Sequence, residues 1–440
     1  LLYDAMHMTS VTAVDLPGGS LHSCAVEVGR AGRAVPVSFD QRRHVGLGQR
    51  PGSWIALALR VPPSVSQAQL QQAWLTVIAR HGTLRTVFSA PSLADGGVEL
   101  ALHEVDVLGA IWTEHQVPAG RRSAEVAREV FDEACAPLAR PSHRLILAGV
   151  GDAHPRVLIG LDHAHADAWS LLILARDLVV CLTDLAEGRV PGLTLPAAHS
   201  FAEHSAVLES APAAPEMVRR RWAEVLSAGG GMMPTFPLPL GDIATPQPEV
   251  VEFRDVFDAD ELTRFEEQAA AKGVRMLPAV ISTLTRIAAD VAGQPLRAVL
   301  PVHSRSQERW HDSVGWFITN AVLESADPDP QACRAALKEA LALGSYPLAP
   351  IMAQYGGMPA GPGMFAMSWL DNRRLPVSID PALRAQHVSA VIDTDGVMIW
   401  FVVSAQGLRV RCRYPDTGQA RASVQHWLDL ICAELADQIR

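Results

Sequence analysis

The sequence predicts a mixed α/β chain, layered in the α+β manner and folded as two domains. Its 440 residues exceed one ordinary domain, and two of about 200 residues each are expected. Short apolar runs of strand character alternate with longer stretches whose apolar residues recur at helical spacing. Apolar residues make up 49% of the chain and charged residues 19%, the balance of a well-buried globular protein.

Composition also excludes some partners. The net charge is −10 and no long basic tract is present, which argues against nucleic acid. No apolar run reaches the roughly 18 residues that cross a membrane, and no signal-peptide pattern is evident. A cytoplasmic location without a membrane partner is the expectation. Cys24, Cys135, Cys181, Cys333, Cys412 and Cys432 lack C-x-x-C spacing and read as small apolar residues of a reducing compartment. Leu1 to Met8 are read as vector-derived, with His7-Met8 as a cloning junction.

Pro17-Gly18-Gly19-Ser20 marks a turn in the opening segment. Trp54 to Val61 is apolar enough for a largely buried strand, ended by Pro62-Pro63-Ser64. Ser66 is placed to cap a helix from about Gln67 to His81, with Leu70, Ala73, Trp74, Val77 and Ile78 on one face. Arg80 and His81 would complement its dipole and Gly82 would cap it. Residues 95–116 offer two strands, one over Val98–His103, and a helix follows over about Ser123–Glu133. Arg144–Ala148 and Arg156–Leu161 read as a hairpin around Gly151 to Pro155.

That hairpin delivers Leu161-Asp162-His163-Ala164-His165-Ala166-Asp167-Ala168-Trp169-Ser170, after which Trp169 to about Leu185 is helical. Two acids and two histidines thus sit where a strand ends and a helix begins. If the strand continued, His163 and His165 would share a face and could bind a metal with Asp162 or Asp167. No further Cys/His cluster at ligand spacing supports this, and no metal is expected. On a plainer reading Asp167 caps the helix and the histidines are core or rim residues.

The second half follows a Gly/Pro-rich stretch, Gly229 to Pro246, read as flexible. The domain reading is 9–205, a linker region 206–248, and 249–440. Val250–Phe253 is strand-like, and Asp258 or Asp260 opens a helix to Gly273. Leu277–Ala292 is a long apolar helix closed by Gly293. Val299–Val302, Met364–Leu370, Val397–Ser404 and Leu408–Tyr414 are strand-like, and Ser423–Ile439 is an amphipathic helix.

The stretch at 162–170 resembles the His-His-x-x-x-Asp-Gly motif of the condensation-domain superfamily of nonribosomal peptide synthesis. His163 and Asp167 match; Asp162 stands for the first His and Ala168 for the Gly. Ser38 and Gln41, then Arg80, His81, Leu84, Arg85, Thr86 and Phe88, fit the family's opening segments in order and spacing. His303-Ser304-Arg305 and Val314-Gly315-Trp316-Phe317 resemble later ones, with Asn320 one position late and Thr319 in its usual place. Met364–Leu370, with Ser368, resembles the segment beside the family's channel.

The resemblance spans about 35–440. It implies two chloramphenicol-acetyltransferase-like lobes in a V-shaped pseudo-dimer, with the active site in a tunnel between them. It further implies a stand-alone acyltransferase of natural-product or antibiotic biosynthesis, forming an amide or ester. The acyl group would arrive in trans as a phosphopantetheine thioester on an acyl or peptidyl carrier protein, or as a coenzyme A thioester, and a small-molecule acceptor would take it. No cofactor would be bound.

His163 takes the position of the family's catalytic His, and Asp167 that of a mostly structural Asp with Arg305 as partner. Asp162, Ala168, Trp169, Ser170, Trp316, Asn320 and Ser368 would line the channel. A helix beginning near Trp169 would aim free N–H groups at developing negative charge. Two alternatives follow from the departures. Asp162, Asp167 and Ser170 also fit the heterocyclization relatives, and the altered motif fits a non-catalytic platform that binds a carrier protein or recruits another enzyme. Arg219–Arg221 or Arg42-Arg43 could dock an acidic carrier protein.

Overall fold

The computed structural model describes residues 7–90 and 99–440. Val98, in one expected strand, and most of Leu1–Met8 lie outside the described residues. The first 210 positions hold β1 (His7–Ser10), β2 (Leu21–Val28), β3 (Ala34–Val35), α1 (Phe39–Gly46), β4 (Trp54–Arg60), α2 (Gln67–Arg80), β5 (Thr86–Ser89), β6 (Ala101–Glu104), β7 (Val107–His115), α3 (Ser123–Ala134), β8 (His143–Ala148), β9 (Arg156–Asp162), α4 (Ala168–Ala186) and α5 (Phe201–Glu209). Then come α6 (Glu216–Ala228), β10 (Gln247–Asp258), α7 (Ala259–Ala271), α8 (Met276–Ala292), β11 (Leu296–His303), β12 (Ile318–Ser325), α9 (Pro330–Leu343), α10 (Leu348–Met352), β13 (Phe365–Asp371), β14 (Gln386–Ser389), β15 (Asp393–Thr394), β16 (Val397–Ser404), β17 (Gly407–Pro415) and α11 (Gly418–Asp437).

The chain divides into two compact units. The first comprises Leu1–Ser210, Arg305–Phe317 and Leu375–Ile392; the second comprises Ala211–Ser304, Ile318–Arg374 and Asp393–Arg440. Halves read as continuous stretches therefore miss two segments, 305–317 and 375–392, which sequence order assigns to the second half. Among the described residues, the first unit's main sheet runs β1-β14-β4-β9-β8-β2-β7, and β3-β6-β5 form a small one. Residues 7 and 8, read as vector-derived, pair in parallel with β14.

β9 sits between β4 and β8, antiparallel to both, and all seven of its residues are buried. That explains its unbroken apolar run; a strand covered on both faces has no reason to alternate. Gly160 is needed within it, because a Cβ there would stand 2.4 Å from the Phe131 ring. α2 is capped by Ser66 and Gln69 and buries Leu70, Ala73, Trp74, Val77 and Ile78. These join Leu171, Leu174 and Leu178 of α4 in one core cluster. Gly82 does not cap α2. It opens a short 3-10 turn, Gly82–Arg85, whose first residue lies against Ser200.

The second unit's sheet runs β12-β11-β13-β16-β17-β10-β15 among the described residues. The stretch read as a flexible linker is largely built in. α6 buries Trp222, Val225 and Leu226, and the following loop buries Met233, Phe236 and Leu240. The Met233 and Phe236 amides donate to the Pro359 and Gly363 carbonyls, each at 2.8 Å. Gly293 closes α8 with φ 64°, the left-handed cap its position suggests.

Candidate active site

The site grows from the end of β9. The strand stops at Asp162, and His163–His165 form a single 3-10 turn before α4 begins. The strand does not continue, so His163 and His165 do not share a face. His165 turns inward, with Nδ1 3.3 Å from Thr83 Oγ1 and its ring against Phe88, and burial pulls it down to about 4. Among the described residues no group of three His, Cys, Asp or Glu could hold a metal.

The Asp162 carboxylate is fully buried and held on every side. Ser53 donates to it at 2.6 Å, the Ala164 amide at 2.9 Å, and His44 Nε2 lies 3.1 Å from both oxygens. Burial works against its charge, but His44 and then Ser53 hold it below the usual carboxylate range. It makes no hydrogen bond to His163. α1 supplies more of the support. Ser38 and Gln41 form its capping box, and the Gln41 side chain donates onward to the Ala164 carbonyl at 2.9 Å. The Ser-x-x-Gln spacing thus builds a helix cap and grips the motif.

His163 is half-buried. Its amide donates to the Ser53 carbonyl at 3.0 Å. Its ring lies on Trp316, centroids 4.3 Å apart, and 6.2 Å from the ring of His44. Trp316 also meets His44 edge-on at 5.1 Å. Nδ1 is buried without a partner side chain. Burial, and then His44, lower the imidazole's tendency to take a proton; its own backbone, Asp162 and Asp167 oppose them. The group is therefore a neutral imidazole at neutral pH, able to accept a proton.

Asp167 caps α4, accepting from the Ser170 amide at 2.7 Å. Arg305 grips both its oxygens, at 2.5 and 3.2 Å, and the Phe317 amide donates to it at 3.1 Å. Burial works against this charge as well, but Arg305 keeps Asp167 ionised and low. Arg305 also donates to Ser170 Oγ at 2.8 Å and the Ser313 carbonyl at 2.9 Å, and its guanidinium lies over the Trp169 and Phe317 rings. Ser170 Oγ completes the knot, donating to the Gly315 carbonyl at 3.0 Å and lying 3.1 Å from its amide. Asp167, Ser170 and Arg305 thereby pin segment 305–317 beside the motif. Trp169 adds a bond from its indole to the His311 carbonyl at 3.1 Å.

The start of α4 is not an open anion site, because the Asp167 carboxylate already occupies it. Ala168 is the first helical residue, exposed and without positive φ. Ala for Gly there imposes no backbone strain. Asn320 lies on β12 and Ser368 on β13, both in the second unit, so neither belongs to the unit that carries His163. His44, Arg50 and Ser53 were not foreseen. No local pattern could reveal them, since His44 and Asp162 are 118 positions apart.

A family model described as "Condensation domain" matches residues 34–340. The chain is 30% identical over 307 residues to a probable non-canonical nonribosomal peptide synthetase, CymA, of Salinispora arenicola, covering 66% of this chain and 4% of that protein. It is 24% identical over 297 residues to acyltransferase PapA3 of Mycobacterium tuberculosis, covering 63% of this chain and 62% of that one. The matched part is thus less than two thirds of each relative's length. Among solved structures, PapA2 acyl transferase superposes with a TM-score of 0.84 at 19% identity, over 99% of this chain and 100% of that one. Among the described residues no helix is long and apolar enough to cross a membrane. With 307 of its residues matched by the family model and its whole fold shared with PapA2, the chain belongs to the condensation-domain family of nonribosomal peptide synthetases and their acyltransferase relatives.

Proposed function

We propose that the protein transfers an acyl group from a thioester to an amine or alcohol, with His163 as the base. The observation that carries this reading is the His163 imidazole, half-buried and packed at a tilt against Trp316 with ring centroids 4.3 Å apart. The nucleophile's N–H or O–H gives its proton to His163 as its nitrogen or oxygen bonds to the acyl carbon. The carbon–sulfur bond breaks, and the thiolate takes the proton from His163. The thioester comes from a carrier protein or coenzyme A, and the protein holds no cofactor of its own. Asp167 and Arg305 act on the reaction only by fixing the segment that carries Trp316.

A docking role for Arg219–Arg221 loses support. Arg219 pairs with Glu216 at 2.5 Å, Arg220 with Glu224 at 3.8 Å, and Arg221 with Glu339 and Glu324 at 3.0 and 3.1 Å. Heterocyclization is likewise not favoured, because Asp162, Asp167 and Ser170 are all committed to holding the turn. A panel of acyl thioesters on carrier proteins and on coenzyme A, offered with amine and alcohol acceptors and read by mass spectrometry, tests the reading. Amide or ester product supports it. Carrier or partner-enzyme binding without product from any donor replaces it with the platform.

A further inference from the structure

A buried carboxylate at Asp162 occupies the place of a histidine, and a histidine from α1 reaches it. Arg50 Nη2 lies 2.9 Å from His44 Nδ1, and Arg50 Nη1 donates to the His44 carbonyl at 2.9 Å. The same Nη2 lies 3.4 Å from His44 Nε2, so the guanidinium rests against the imidazole ring and not on Nδ1 alone. His44 Nε2 in turn lies 3.1 Å from both Asp162 oxygens. The ring stands between Asp162 and the Trp316–His163 pair.

We propose that Arg50, His44 and Asp162 form a positioning relay that takes the place of a histidine at 162 and fixes the turn that carries His163. Resting on the His163 reading above, the relay works at two points. Asp162 holds the Ala164 amide and Ser53 Oγ, while the Ser53 carbonyl holds the His163 amide. Its negative charge also favours a proton on His163. The other groups facing His163 in its unit are His44 itself and Asp167, the latter neutralised by Arg305. His165 turns away to Thr83 and Phe88.

Histidine ring resonances of the full chain test this without any substrate. Arg50→Met is expected to move the ring resonances of both His44 and His163 while the backbone amide resonances outside the turn stay in place. Asp162→Asn keeps the size and removes the charge, and should lower the His163 titration midpoint. In any active preparation the acid limb of kcat/KM should move down with it. Unchanged His163 ring resonances in Arg50→Met, or an unchanged His163 midpoint in Asp162→Asn folded like wild type, overturns the relay. Absence of acyl transfer from every donor would instead defeat the proposed function, while the ring titrations still decide the relay.

Discussion

Gln41 and Ala164, 123 positions apart, are joined by a hydrogen bond of 2.9 Å from the Gln41 amide to the Ala164 carbonyl. The same side chain accepts from the Ser38 amide at 3.0 Å, so one buried residue closes a helix cap and holds the motif turn. Gln41→Glu keeps the acceptor but turns an oxygen toward the Ala164 carbonyl. A loss of about 1–3 kcal/mol is expected in urea unfolding, with acyl transfer reduced alongside it. Unchanged stability would show that the bond is not formed.

Asp167 and Arg305 are a buried ion pair, each 1% exposed. Arg305→Met strands the carboxylate and should cost about 3–5 kcal/mol. Pairing it with Asp167→Asn should recover part of that loss, because Asn still caps α4. The sign with pH follows from the depressed Asp167 value. Its contribution is present above the unfolded carboxylate value near 4 and is lost as pH falls through the lower folded value. Denaturant midpoints measured across that range check it.

Two glycines are fixed by rings. A Cβ at Gly315 would stand 2.4 Å from Phe201, and one at Gly160 equally close to Phe131. Gly315→Ala and Gly160→Ala should each cost about 1–3 kcal/mol by overpacking. Ala168→Gly runs the other way. It restores the family's residue at an exposed helical position, and should leave activity within a few-fold while costing up to about 1 kcal/mol of stability. Thermal unfolding and turnover of the three variants separate the cases.

Reversing the charge of Arg219–Arg221 should leave carrier-protein binding unchanged, because each arginine already faces a carboxylate. Binding titrations against a holo carrier protein check this. A large loss of affinity would restore that face as a dock.

Much of the fold was legible because its signals are local. The α2 face, the Ser66 cap and the β8–β9 hairpin follow from spacing and turn residues alone. So does the Asp167 cap, since a helix start needs an acceptor and only a nearby residue can supply it. The segment 305–317 was assigned to the wrong half, because chain order says nothing about which body a loop packs on. The 206–248 region does hold the boundary between the units, after Ser210, but most of it is packed rather than flexible. Glycine and proline mark irregular backbone, and Phe236 and Leu240 show that irregular backbone can still be core. His44 and Arg50 carried no signal, because a hydrogen bond across 118 positions leaves no periodicity.

The proposed role of His163 fixes the sign of the expected pH dependence. The His163 value is depressed by burial, so with His163 as the proposed base, activity should hold through neutral pH and fall only as pH drops below that lowered value. The most direct test of the central claim is kcat/KM for acyl transfer by wild type and His163→Ala with the same thioester, both confirmed folded. A fall of about a hundredfold or more is the result the account predicts. Transfer undiminished in His163→Ala would contradict it.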